Sequence, residues 1–122
     1  MRNLFLILVI VLPFQIFADN ILYFGDSHSV GHFGIKLDRL LRQNKNDEVF
    51  TIGSCGSIAR WFFTGHKTRC GYFYRDNRGK TKRGNKAKTP IIKDVLNKFS
   101  PDYILVALGA NYYKYSKRRR IS

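Results

Sequence analysis

Residues 20–29 read "NILYFGDSHS": an apolar run, a glycine, then Asp26, Ser27 and His28 in a row. The apolar residues 21–24 predict a short buried strand, and Gly25 stops it. Downstream, Val30, Phe33, Leu37, Leu40 and Leu41 recur at helical spacing, with Lys36, Asp38, Arg39 and Arg42 between them. This pattern predicts an amphipathic helix over about residues 30–43, its charges facing mostly outward. A strand passing through a small polar turn into a helix is the opening of an α/β unit.

The rest of the chain continues in the same style. "NKND" makes a polar turn, "EVFTI" at 48–52 reads as a second strand, and Gly53 and Gly56 break it. "SIARWFF" starts a short helix or turn. Residues 64–89 lack any period and are rich in Gly, Lys and Arg, which predicts a long exposed loop. Pro90 fits the first turn of a further helix, with Ile91, Ile92, Val95, Leu96 and Phe99 as its apolar face and "SPD" as its end. "YILVAL", 103–108, is a continuous apolar run of the kind found in a parallel strand buried on both faces. In a sheet of only three strands it is left as an edge.

Short apolar strands alternating with helices predict an α/β sandwich with a parallel sheet. Ligand sites in such sheets lie at the carboxyl ends of the strands. Here each strand is followed by a small polar or glycine-rich turn, "GDSHS", "GSCGS" and "GAN", and all three are expected on one edge of the sheet.

The 122 residues suit one domain. The first 18 stand apart: Arg2 is the only charge, "LFLILVIVL" follows, and "QIFA" ends in a small residue before Asp19. That order is the one of a secretory signal cleaved after Ala18, leaving residues 19–122 as the mature, exported protein, periplasmic or extracellular. A membrane span needs about 20 apolar residues, and this stretch is shorter and holds Pro13 and Gln15. In an oxidising compartment the only two cysteines, Cys55 and Cys70, are free to form a disulfide. Neither a CxxC pair nor an HExxH helix accompanies them, so they do not read as metal ligands.

Lys and Arg number 22 against 8 Asp and Glu. Much of the excess lies at 67–88, where Lys67, Arg69, Arg75, Arg78, Lys80, Lys82, Arg83, Lys86 and Lys88 face Asp76 alone, and in the final "YKYSKRRRIS". In an exported chain these patches point to an anionic cell-envelope polymer, lipid or glycan, and nucleic acid is not expected as a partner. A solvated loop and tail is the plainer reading of such runs.

The turns also carry chemistry. A serine hydroxyl needs a base to take its proton, and its tetrahedral intermediate needs donors aimed at the oxyanion. Ser27 sits where a strand gives way to a helix, so its backbone N–H and the helix dipole favour developing negative charge. The Gly56 N–H and the Asn111 amide offer two further donors. Asp26 reads as a cap for the helix, and Ser29 as another capping candidate.

This arrangement resembles the SGNH hydrolases, also called GDSL-type esterases. "FGDSHS" looks like the first block of that family, with Ser27 as nucleophile. "IGSCGS" is similar to its glycine block, with Gly56 the better match to the oxyanion glycine and Gly53 the fallback. "LGAN" matches the third block, with Asn111 as the oxyanion asparagine. The resemblance spans most of residues 20–113. It implies a three-layer, flavodoxin-like α/β sandwich, and hydrolysis of ester or acetyl groups on a glycan or lipid without metal or organic cofactor.

The family draws its base from a late Asp-x-x-His block, and no such block follows Asn111 in these residues. The expectation is a domain incomplete at its C-terminus and impaired as an enzyme. The alternative is a non-catalytic domain that binds anionic polymers through its basic loop. His28 adjoins Ser27 and does not face it on a helix. His32 lies a turn further on, and His66 is the nearest to a substitute base.

Overall fold

The computed structural model describes residues 18–112. The signal-like segment before Ala18 and the basic residues 113–122 lie outside the described residues.

The three expected strands form, the first two slightly longer than expected and the third one residue shorter. They are β1 (Asn20–Gly25), β2 (Glu48–Ser54) and β7 (Tyr103–Ala107). All are parallel, with β1 in the middle: Leu22 stands between Phe50 and Ile104, and Gly25 between Gly53 and Ala107.

The stretch 64–89 corrects the reading of an exposed loop. It contains β3 (Lys67–Thr68), β4 (Tyr72–Arg75), β5 (Thr81–Gly84) and β6 (Ala87–Lys88). β4 pairs antiparallel with β2, and β5 with β4, while β3 and β6 make a small ladder of their own. The main sheet is therefore five-stranded and mixed, in the order β5-β4-β2-β1-β7, and not the purely parallel one expected. The turn between β4 and β5 is organised by Asp76, whose carboxylate accepts from the N–H groups of Arg78 (3.1 Å) and Lys80 (2.8 Å). Gly79, at φ +83°, supplies the left-handed residue that this turn needs.

Strand alternation divides the sheet's side chains between two faces. On one, Leu22 and Ile52 pack with Phe62 of α3 (Trp61–Thr64) and with Ile92, Val95 and Phe99 of the α4 segment (Ile92–Lys98, with Phe99 at its C-cap). α4 begins after Ile91, so Pro90 precedes it and is not in its first turn. On the other face lie α1 (Ser27–Val30) and α2 (His32–Leu41), two pieces where one helix was expected. Gly31, extended at ψ −165°, separates them.

α2 also turns a different side inward. Asp38, expected to face solvent, is fully buried, whereas Phe33 and Leu40 are at least half exposed. The cause is a partner from the hairpin. Asp38 accepts from Thr51 Oγ1 (2.6 Å), Arg42 Nε (2.9 Å) and Arg75 Nη1 (2.8 Å). Arg75 belongs to the antiparallel strand that the charge-rich composition concealed. Packing on this face is close enough to require glycine at Gly34 and Gly53, because a Cβ at either position would run into the Ser29 backbone.

Among the described residues, β7 pairs with β1 alone. Tyr103, Ile104 and Val106 are each more than half exposed, which corrects the expectation of burial on both faces and agrees with an edge position. No helix among the described residues is long and apolar enough to cross a membrane.

Candidate functional site

The three strand-to-turn junctions do meet. Parallel β2, β1 and β7 end together, which delivers "GDSHS", "GSCGS" and "GAN" to one edge of the sheet. Hydrogen bonds then tie each turn to another. Asp26 N–H donates to Ala107 O (3.1 Å), Ser57 Oγ to Gly25 O (3.4 Å), and Asn111 Nδ2 to Ser57 O (3.0 Å). A fourth link runs from Ala59 N–H to the Tyr112 hydroxyl at 2.8 Å.

Ser27 is the first residue of α1, half-buried, with Asp26 behind it as N-cap. The Asp26 carboxylate accepts from His28 N–H at 3.1 Å and is almost fully buried, so the expected capping role holds. Ser29 does not cap. Its hydroxyl is buried against the Tyr23 hydroxyl at 2.7 Å, beneath the turn. Burial holds the Tyr23 phenol above the ordinary tyrosine value of 10.0, with the Ser29 hydrogen bond acting against that shift. α1 is a single turn, so the dipole effect expected at Ser27 reduces to its own N–H.

Among the described residues, the backbone N–H groups of Ser27 and Gly56 and the Ser27 hydroxyl have no acceptor or donor partner. Gly56 takes φ +79°, a conformation suited to glycine, in the turn after β2. Gly53, the fallback, lies within β2 under the Ser29 backbone and serves packing. Asn111 uses one amide N–H to brace Ser57 O and carries a second. No hydrogen bond joins Ser27 directly to Gly56 or Asn111.

The disulfide expected between Cys55 and Cys70 is present, with the Cα atoms 5.5 Å apart. It ties the Gly56 turn to the start of the basic segment. A cavity of about 410 Å³ opens there, walled by Gly56, Trp61, His66 and the disulfide. A second groove, about 430 Å³, runs between the turns after β1 and β7, with Asp26, His28, Phe33 and Leu108 among its walls.

None of the histidines is hydrogen-bonded to Ser27. His28 and His32 are exposed, and the His66 ring stacks on Trp61 with centroids 4.2 Å apart. His66 is itself exposed, in the short connection before β3, and the stacking on Trp61 holds its ring beside the Gly56 cavity. Trp61 is the neighbour that the sequence reading missed. Its place in "SIARWFF" after the glycine block was the available signal.

Compared with protein-family models, with curated proteins and with solved structures, the chain matches none.

Proposed function

We propose that the chain is a serine ester hydrolase of the SGNH type, exported, acting on ester or acetyl groups of a glycan or lipid. In this reading the parallel strands and the helices packed on both faces are a three-layer SGNH sandwich, extended at one edge by the hairpin. The observation that carries it is the hydrogen-bonded convergence of the turns after β1, β2 and β7. It gathers Ser27 and the N–H groups of Ser27 and Gly56, which have no partner among the described residues, on one edge. The Cys55–Cys70 bridge supports export, since such bridges persist in oxidising compartments.

Ser27 Oγ attacks the acyl carbon and its proton passes to a base. The carbonyl oxygen takes up the negative charge, facing Gly56 N–H, Ser27 N–H and the second Asn111 N–H. Collapse breaks the bond to the leaving alcohol, which is protonated, and water then releases the acid from Ser27. An Asp-x-x-His block would supply that base, and residues 112–122 contain none. Loss of one triad member in a protease leaves residual catalysis of about 10³–10⁴-fold over water.

p-Nitrophenyl acetate turnover tests the reading. The chain as given is expected near background, with the remainder abolished by Ser27→Ala. Fusion of an Asp-x-x-His segment from an SGNH esterase is expected to raise turnover by orders of magnitude. Turnover unaffected by Ser27→Ala would refute the nucleophile, and an inert fusion that is correctly folded would favour the non-catalytic alternative.

A further inference from the structure

A different groove, of about 450 Å³, lies between the β4–β5 hairpin and α4. Its position is at the far end of the strands from Ser27. Phe50 is in the first half of β2, and the hairpin turn is tied to the start of that strand by Asn77 Nδ2 donating to Glu48 Oε2 at 2.9 Å. The floor is aromatic: Phe50 and Tyr74 are half-buried, and buried Phe99 packs against Phe50 with ring centroids 5.9 Å apart. Tyr74 is fixed by its hydroxyl donating to Lys88 O at 3.1 Å.

The rim is cationic, and its charges come from three elements. Arg78 and Lys80 stand on the hairpin turn, Lys82 on β5, and Lys98 at the end of α4. Lys82 is paired with Tyr74 across the strands and so shares its face, whereas Arg83 lies over Phe73 on the other. Among the described residues both ion pairs are made by Asp38, so none of the four rim cations has a carboxylate partner. Asp76 also lines the groove, but its carboxylate is engaged by the N–H groups of the turn. Like charges gathered on the walls of one cleft focus a positive potential into it, and an anion there offsets their repulsion.

We infer that this groove binds an acidic saccharide, with a sugar ring on the Phe50–Tyr74 floor and its carboxylate or sulfate groups on the lysine and arginine rim. The volume is that of a small-ligand site, within the usual range of about 300–1,000 Å³. A pyranose presents an apolar C–H face bordered by polar substituents, which complements a recessed apolar floor under a charged rim. Single-stranded nucleic acid instead stacks its bases on aromatic rings along a basic track. Here the rings are half-buried or buried beneath the cations of one confined groove. The inference does not rest on the Ser27 reading.

The test is calorimetric titration of the full chain with hexagalacturonate, alongside maltohexaose, a dT12 oligonucleotide and phosphatidylglycerol vesicles. Hexagalacturonate is expected to bind, to weaken with added salt, and to shift the Tyr74 ring resonances; maltohexaose is expected not to bind. Lys82→Glu with Lys98→Glu should weaken binding about tenfold or more. Lys36→Glu with Arg39→Glu removes the same charge from exposed positions on α2 and should change it by less than about threefold. All four substitutions are on exposed side chains, and circular dichroism checks the fold of each variant. Equal losses in the two double variants would overturn the inference in favour of diffuse charge attraction. Tighter binding of the oligonucleotide or the vesicles than of hexagalacturonate would overturn it as well, as would an absence of Tyr74 shifts.

Discussion

Asp38 shows how far one residue's role depends on partners distant in sequence. Within residues 30–43 it looks like one more outward charge, and nothing local says otherwise. Arg75, 37 positions away, turns it into the buried junction of α2, β2 and β4. Removing one member of a buried pair leaves the other charge without compensation, at a cost of about 3–5 kcal/mol. Asp38→Ala is expected to fall near the lower end, because Arg42 and Arg75 keep partial access to water. Urea unfolding measures it, and a loss below about 1 kcal/mol would contradict this role. The buried tyrosines give a pH prediction. Burial raises the pKa of Tyr23 and Tyr74, so above pH 10 the unfolded chain loses phenol protons that the folded chain retains. Stability is then complete below that pH and declines as pH rises toward the folded values. Thermal melts between pH 9 and 11 should show a shallower decline for Tyr23→Phe than for the parent chain. Identical slopes would mean that Tyr23 is not protected by burial.

At the level of elements, the three parallel strands were legible as short apolar or β-branched runs bounded by turn residues, although the burial expected of β7 did not follow from its run. The turns after them were legible through glycine and small polar residues. The hairpin was not. "YFYR" and "TKRG" place aromatics and cations where a polar-outward strand would carry apolar–polar alternation, and so resemble loop composition. The better signal was the turn "DNRGK", in which aspartate and glycine occupy the positions that a hairpin requires. The facing of α2 was misread for a related reason: its inward side is made of Gly34 and Asp38, and neither is apolar. This yields a prediction with an inverted sign. Gly→Ala inside a helix ordinarily stabilises by about 1 kcal/mol. Gly34→Ala is expected to destabilise by about 1–3 kcal/mol, because the new methyl meets the Ser29 backbone. A raised melting temperature for Gly34→Ala would show that α1 and α2 are not in such close contact.

Taken whole, the molecule is asymmetric across its sheet. The cation-rich hairpin forms one edge and β7, with Tyr103, Ile104 and Val106 exposed, forms the other. An uncovered apolar edge strand is a liability for self-association. The edge that bears the candidate site runs perpendicular to both, at the carboxyl ends of the parallel strands. There Asp26, Ser57 and Asn111 lock the turns together, and the Cys55–Cys70 bridge adds about 3 kcal/mol by restricting a loop of this length in the unfolded chain. The site's residues were legible because each occupies a turn after a strand. The bracing was not, since it depends on which turn oxygen lies within reach of Asn111. Under the proposed function, a serine held on such a braced edge should react with an activated ester faster than an ordinary surface serine. The most direct test is incubation with a p-nitrophenyl alkylphosphonate followed by peptide mass spectrometry. The account predicts one adduct per chain, on Ser27, lost both on unfolding and in Ser27→Ala. Adducts spread over other serines, tyrosines or lysines, with Ser27 unmodified in the folded chain, would contradict it.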